Sequence, residues 1–92
     1  MTNFNTGSVY MTDGIHNAIK EDKNYVNELV DCFEKYLICD WGDLEEDDKT
    51  ANDDALLNNE RILGAYKTSK GKIYFITEWD RSCTTLLFAN EY

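Results

Sequence analysis

Apolar side chains change their spacing near residue 60, and this change constrains the fold more than any other feature of the 92-residue chain. Up to that point they recur three and four residues apart, which is the spacing of the buried side of an α-helix. Beyond it, short runs rich in Ile, Tyr, Phe and Thr alternate with polar turns, as in β-strands. Helices followed by a run of strands predict an α+β fold, with helices packed on one face of a small antiparallel sheet.

Two helices are predicted before residue 40. Thr12 is suited to cap the first of them, and Asn24 is suited to cap the second. The second helix carries an apolar stripe that runs for about four turns. Gly42 can adopt the left-handed conformation that closes a helix, so this helix is expected to end near residues 40–42. The residues of its stripe are Val26, Leu29, Val30, Phe33, Tyr36 and Leu37.

A third helix is predicted to follow at once. Asp43 and Glu46 have the spacing of a capping box, in which each side chain bonds the backbone N–H of the other residue. Asn58 and Asn59 are suited to end the helix. Its narrow apolar stripe consists of Leu44, Ala51, Ala55 and Leu56.

One strand is predicted before the helices and three antiparallel strands after them. A polar segment with Gly at 68–71 predicts a hairpin turn, and a second turn is predicted at 80–82. The element order is therefore β-α-α-α-β-β-β, in a single domain that spans residues 1–92. The predicted strands are 7–12, 61–67, 72–80 and 83–89.

The charge balance is strongly acidic. Acidic residues outnumber basic residues by 18 to 9, which gives a net charge of −9. Nucleic acids and anionic lipids bind clustered Lys and Arg that replace their counterions, so neither is an expected partner. A basic protein surface is the expected partner. The alternative is that the acidity only keeps the chain soluble.

The sequence also predicts where the protein acts. No stretch approaches the roughly 20 consecutive apolar residues that cross a bilayer, and the N-terminal segment lacks the basic flank and apolar run of a signal peptide. The three cysteines are an odd number with no close pair, unlike the disulfide framework of a secreted domain. We therefore expect a cytoplasmic protein.

No catalytic, metal-binding or cofactor-binding constellation is predicted. His16 is the single histidine, and the cysteines lack the paired spacing of zinc sites. A calcium-binding loop fails because Asp48 occupies the position where its sharp turn requires Gly. An enzyme that uses Glu78, Asp80 and Arg81 is the remaining catalytic alternative, since residues two apart on a strand share one face.

The acids are concentrated between Asp40 and Asp54, where eight of them accompany a single base, Lys49. Like charges at i, i+4 on a helix cost a few tenths of a kcal/mol, roughly, so they are tolerated and not stabilising. One interpretation is a surface of carboxylates spaced like phosphates. The other is a solvated helix face with acids favoured near its N-terminus. The predicted partner-binding residues are Asp43, Glu45, Glu46, Asp47, Asp48, Asp53 and Asp54.

Two sequence blocks resemble those of a known family. They are Asp40-Trp41-Gly42-Asp43-Leu44 and Ile76-Thr77-Glu78-x-Asp80-Arg81-Ser82. With Asn52 between them, they resemble small plasmid- and integrative-element-borne proteins that are labelled only as plasmid-related, or mislabelled as a type I restriction subunit. The resemblance covers residues 40–92 and is looser before them, where Thr12-Asp13-Gly14 stands in place of Thr-Pro-Gly. It implies a compact α+β protein of mobile elements and no known reaction.

The resemblance and the charge together suggest a function. Small acidic proteins of mobile elements include anti-restriction and anti-CRISPR proteins, some of which imitate DNA. We therefore expect an inhibitor of a nucleic-acid-handling bacterial defence system, which binds a basic groove through an acidic, DNA-mimic-like surface. The alternative is a non-catalytic interaction protein of a mobile element, such as a homodimer joined through exposed Trp41, Tyr66 and Tyr92. If the two blocks instead hold the fold, Arg81 is expected to pair with acids such as Asp43 or Asp80.

Overall fold

The computed structural model of the chain describes residues 4–92 and confirms the predicted α+β fold and its order of elements. One strand comes first, three helices follow, and three strands come last. No helix within these residues is long and apolar enough to cross a membrane. The elements are β1 (Ser8–Met11), α1 (Asp13–Glu21), α2 (Tyr25–Leu37), α3 (Glu46–Asn58), β2 (Ile62–Thr68), β3 (Gly71–Thr77), β4 (Cys83–Phe88) and a 3-10 turn at Ala89–Glu91.

The four strands form one sheet in the order β1-β4-β3-β2. As predicted, β2, β3 and β4 are antiparallel, and Thr68 pairs with Gly71 across the hairpin turn. The first strand differs, because β1 lies parallel to β4 with Val9 opposite Thr84. The sheet is therefore mixed and not antiparallel throughout. The reason is that β1 continues directly into α1, so no hairpin joins it to a neighbouring strand and imposes antiparallel pairing.

The first two helices begin where local chemistry predicts. The hydroxyl of Thr12 accepts a hydrogen bond of 3.4 Å from the N–H of Ile15, which satisfies one of the free donors of the first turn. Asn24 stands at the N-cap of α2, although its side chain makes no capping hydrogen bond.

The second helix ends earlier than predicted. Cys39 takes the left-handed conformation there, with φ of 65°. The N–H of Asp40 then bonds to the carbonyl of Lys35 at 2.9 Å, which satisfies a carbonyl of the last turn. The prediction that Gly42 closes α2 is wrong, because the helix is already closed when the chain reaches it. Gly42 has a left-handed φ of 79° and forms a β-bridge with Ala65 of β2.

The third helix begins at Glu46, with Glu45 as its N-cap. The predicted capping box between Asp43 and Glu46 is therefore wrong. The N–H of Asp43 donates to the carbonyl of Ala65 at 2.6 Å, which holds the segment before the helix against β2. Asn59 ends the helix, as predicted, and it does so in the left-handed conformation, with φ of 53°.

The core lies between the helices and one face of the sheet. The ring of Tyr36 in α2 stacks on Phe75 of β3 with 5.2 Å between centroids, and Trp41 meets Tyr36 edge-on at 5.6 Å. Aromatic pairs of this kind contribute about 0.5–1.5 kcal/mol beyond the area that they bury. The buried residues of the core are Ile15, Ala18, Tyr25, Leu29, Cys32, Tyr36, Trp41, Ala55, Ile62, Tyr66, Ile73, Phe75 and Leu86.

A chain of buried hydroxyls crosses this core. The Tyr36 oxygen lies 2.6 Å from Thr77 Oγ1, which in turn lies 2.6 Å from Thr84 Oγ1. The Thr84 hydroxyl donates to the carbonyl of Thr6 at 2.8 Å. Because each hydroxyl carries one proton, this carbonyl sets the direction, so Thr77 donates to Thr84 and Tyr36 donates to Thr77. The chain joins α2, both central strands and the segment that precedes β1.

Candidate functional site

The acidic segment lies along the outer edge of the sheet, where α3 packs on β2. Only one side of the helix is buried, through Asn52 and Ala55. The amide of Asn52 donates to the carbonyl of Leu63 at 2.8 Å and accepts from the N–H of the same residue at 3.2 Å. A neighbouring strand would offer the same donor and acceptor, so one side chain both anchors the helix and covers part of the strand edge.

This attachment decides where the acids of α3 point. Successive residues of an α-helix are about 100° apart around the axis. Asp47 and Asp54 therefore lie on the side opposite Asn52, and both are exposed. Leu57 lies on the same outer side and is 83% exposed. The outer side of α3 thus combines carboxylates with one uncovered apolar side chain.

Two of the predicted site residues precede the helix. Asp43 lies between two lysines of the β2–β3 hairpin, with its Oδ2 3.7 Å from the Nζ of Lys67 and 3.9 Å from that of Lys72. Glu45 is exposed at the N-cap. Asp43, which was predicted to cap the third helix, therefore lies outside α3 and shares no helix face with Asp47 and Asp54.

Two more of the acids have partners within the chain. Asp53 accepts a hydrogen bond of 3.0 Å from the indole N–H of Trp41, and Glu46 lies 3.8 Å from Lys49 in an exposed ion pair. All seven predicted residues are exposed. Within residues 4–92, the acids of this set with neither an ion pair nor a side-chain hydrogen bond are Glu45, Asp47, Asp48 and Asp54.

Comparison of the chain with protein-family models, with curated proteins and with solved structures gives no match. The resemblance to plasmid-related proteins stays a prediction.

The first block of that resemblance has a structural role at the β2 edge. The N–H of Ala65 donates to the carbonyl of Trp41 at 3.1 Å, and Gly42 bridges Ala65 in parallel. A Cβ atom at Gly42 would come within 2.0 Å of the Ala65 carbonyl oxygen, so the close approach requires glycine. Residues 41–43 and the Asn52 amide together occupy the outer edge of β2.

The predicted exposed aromatics are mostly inside the protein. Trp41 is 3% exposed and Tyr66 is 4% exposed, so neither is accessible for dimerisation. Their large rings lie among the core side chains, and the hydroxyl of Tyr66 donates to the carbonyl of Asp40 at 2.6 Å. Only Tyr92 of the three is exposed, at 66%.

Arg81 of the second block binds backbone oxygens and no acid. Its guanidinium donates to the carbonyls of Ala55 at 3.0 Å, Glu60 at 2.6 Å and Glu78 at 3.0 Å. The Ala55 carbonyl belongs to the last turn of α3, where the helix dipole favours a cation, and Glu60 lies just after the helix. The expected pairing with Asp43 or Asp80 is therefore wrong. Arg81 instead joins the end of α3 to the β3–β4 turn.

The carboxylates of the proposed enzyme alternative do not lie on a strand. β3 ends at Thr77, and the residues after it form the turn to β4. Asp80 accepts a hydrogen bond of 3.0 Å from the N–H of Ser82. Hydrogen bonding to the side chain of Ser82, and then to this N–H, lowers the pKa of the Asp80 carboxyl group. In the part of the chain that the structure describes, no group of three or more His, Cys, Asp or Glu side chains could hold a metal ion.

The cysteines are free thiols, and two of them lie in surroundings that disfavour the reactive thiolate. Cys32 is buried in the core, and burial raises the pKa of its thiol. Cys39 is half-buried, and burial raises its thiol pKa as well. A raised pKa leaves less of the reactive thiolate at neutral pH. His16 is exposed on α1.

The anchoring role of Asn52 was missed by sequence reasoning. The signal was present, because Asn52 lies three residues before Ala55 and four before Leu56, in line with the apolar stripe. A polar residue on the buried side of a helix has to satisfy its amide there. The pattern could indicate a buried hydrogen bond, but it could not identify Leu63 as the partner.

Proposed function

We propose that this chain is a non-catalytic inhibitor of a nucleic-acid-handling bacterial defence enzyme, of the CRISPR or restriction kind, and that it works in the cytoplasm. It binds the basic groove in which that enzyme holds DNA or RNA. The observation that carries the proposal is the attachment of α3 by one narrow side. Its outer carboxylates, Asp47 and Asp54, thereby face solvent, and neither has a basic partner within residues 4–92.

Tight binding to a basic groove requires many contacts. An exposed ion pair contributes about 0.2–1 kcal/mol, so a few carboxylates alone do not give tight binding. Glu45, Asp47, Asp48 and Asp54 supply the charge, and Leu57 supplies an apolar contact among them. Binding that depends on such pairs weakens steeply as salt is added, because exposed charges are screened.

The test uses a panel of purified CRISPR and restriction nucleases. The chain is expected to bind one of them, to inhibit its DNA cleavage and to be displaced by excess DNA. The triple variant Glu45→Lys, Asp47→Lys, Asp54→Lys is expected to lose both binding and inhibition.

A matched control carries the same change in net charge on the other helices. Glu21→Lys, Asp31→Lys and Glu34→Lys together replace exposed acids of α1 and α2. This control is expected to retain most of the binding. Equal loss in both triple variants would show that only net charge matters, and unchanged inhibition in the α3 variant would refute the proposal.

A further inference from the structure

One edge of the sheet is covered by other parts of the chain, and the other edge is open. The outer edge of β2 is occupied by residues 41–43 and by Asn52. β1 lies at the opposite edge, and no strand in residues 4–92 pairs with its outer side. The N–H groups of Ser8 and Thr12 bond inward to β4, at 3.2 and 3.1 Å. Since alternate residues of a strand point to opposite edges, the N–H and C=O groups of Val9 and Met11 point outward.

An apolar groove runs along this open edge, between β1 and α2. Val9 and Met11 form one side of it, and Val26 and Val30 of α2 form the other. These four side chains are between 40% and 49% exposed. Of the nine large apolar side chains that are exposed in the described residues, five lie on β1 or on α2 beside it. Tyr10 alternates with Val9 and Met11 and so faces the other side of the sheet, but all five lie at this edge, and such a concentration indicates a binding surface.

The charge of this edge is unlike that of the rest of the chain. Residues 4–12 contain no charged side chain, although the whole chain has a net charge of −9. Edge strands of monomeric proteins are usually protected by being very short, or by charges, Pro, bulges or a covering segment, and β1 has four residues. β1 has no charge and no Pro. A strand without charge can face an identical strand without placing like charges opposite each other.

We infer that β1 binds β1 of a second copy of this chain, antiparallel and around a two-fold axis at Tyr10. Val9 of one copy then lies opposite Met11 of the second copy, and the two residues exchange both backbone hydrogen bonds. The two-fold axis repeats this pair, so four hydrogen bonds join two four-stranded sheets into one of eight strands. Val9 and Met11 of each copy also cover the valines on α2 of the other.

The dimer is independent of the proposed inhibitor function. β1 and α3 lie at opposite edges of the sheet, so both acidic surfaces stay uncovered at the two ends of the dimer. The two interactions also respond oppositely to salt. Dimerisation brings together two acidic bodies through an apolar contact, so screening strengthens it, whereas screening weakens binding to a basic groove.

The first test measures molar mass by light scattering, at about 0.1 M and about 1 M salt, where the screening length is roughly 10 and 3 Å. The wild-type chain is expected to approach twice its 10.7 kDa, more completely at high salt. Val9→Pro removes an outward N–H, and edge strands accept Pro at such positions, so this variant is expected to stay at the mass of one chain. Met11→Lys is expected to do the same by placing charges across the axis.

The control for these variants is Trp79→Lys, which changes an apolar side chain that is 64% exposed in the β3–β4 turn. It is expected to dimerise like the wild-type chain. Circular dichroism of each variant shows whether it is folded. A wild-type chain that stays monomeric at high salt would refute the inference, as would folded Val9→Pro and Met11→Lys variants that still dimerise.

The second test fixes the register. Tyr10→Cys places two cysteines opposite each other at a pair without mutual hydrogen bonds, where the Cα atoms are about 4.5 Å apart and a disulfide can form. Mild oxidation is expected to link this variant into covalent dimers. Ser8→Cys moves the cysteines apart by about four residues of strand and is expected to link no better than the wild-type chain, which has the same three native cysteines. Equal linking of the two variants would contradict this register.

Discussion

The indole N–H of Trp41 donates a hydrogen bond of 3.0 Å to Oδ1 of Asp53. This bond ties the segment before α3 to the middle of the helix, while the Trp41 ring lies in the core against Tyr36. Asp53, one acid of the candidate binding surface, therefore also stabilises the fold. A change at Asp53 affects stability as well as surface charge.

Asp53→Ala is expected to reduce the free energy of unfolding by about 1–3 kcal/mol, because it leaves the buried indole N–H without its acceptor. Asp53→Asn removes the same charge and keeps an acceptor oxygen, so it is expected to cost less. Urea unfolding followed by tryptophan fluorescence measures both. Equal losses in the two variants would show that the charge of Asp53 matters and its hydrogen bond does not.

Arg81→Ala is expected to loosen the end of α3. The variant loses three hydrogen bonds from a charged donor to backbone carbonyls, and bonds to charged groups contribute about 1.5–3 kcal/mol each in favourable cases. Amide hydrogen exchange is expected to speed up in the last turn of α3 before it does so in α2. Arg81→Lys keeps the charge but cannot reach several carbonyls at once, so only partial rescue is expected.

The hydroxyl chain through the core predicts which of two substitutions lowers the stability of the protein more. Tyr36→Phe removes a donor at its start and leaves Thr77 still donating to Thr84. Thr77→Val removes the middle member, so the Tyr36 hydroxyl loses its acceptor and the Thr84 hydroxyl loses its donor. Thr77→Val is therefore expected to be the more destabilising of the two, by about 1 kcal/mol or more. Thermal unfolding of the two variants tests this order, which a reversed ranking would contradict.

Alkaline pH is expected to destabilise the protein through Tyr66. Burial, and then the charge of Asp40, raises the pKa of its hydroxyl above the ordinary value of 10.0. The unfolded chain therefore loses this proton at lower pH than the folded chain does. The contribution to stability is complete below pH 10.0 and is lost as the pH rises above it.

The control for this prediction is Tyr66→Phe. The variant lacks the hydrogen bond to the Asp40 carbonyl at every pH, so it is expected to start less stable and to decline less steeply in alkali. Unfolding free energies measured from neutral pH to above 10 give the two slopes. Parallel curves would show that Tyr66 is not the group responsible.

Local chemistry predicted most of the fold. Helix α2, the cap at Thr12 and the end of α3 at Asn59 depend on residues close together in sequence, and all three are found in the structure. The parallel pairing of β1 could not be derived in this way. It depends on contacts between residues 8–11 and 83–86, which no spacing along the chain encodes.

The candidate site was predictable as a composition but not as an arrangement. The sequence shows the acids, yet the separation of Asp43 from α3 follows from its bond to Ala65, and the engagement of Asp53 follows from Trp41. Arg81 shows the same limit. The sequence suggested ion pairs with Asp43 or Asp80, whereas folding brings to it the carbonyls of Ala55 and Glu60, at and just after the end of α3.

The parallel pairing of β1 with β4 also sets an order of events during synthesis. The hairpins of β2, β3 and β4 connect neighbours in sequence and can form as soon as they leave the ribosome, whereas Ser8 has to wait for Cys83. At about 5–20 residues per second, that wait lasts roughly 4–15 s. For that time an uncharged, β-prone segment has neither of its edges paired. Nascent chains of this protein are therefore open to chaperones, and to each other, through their first strand.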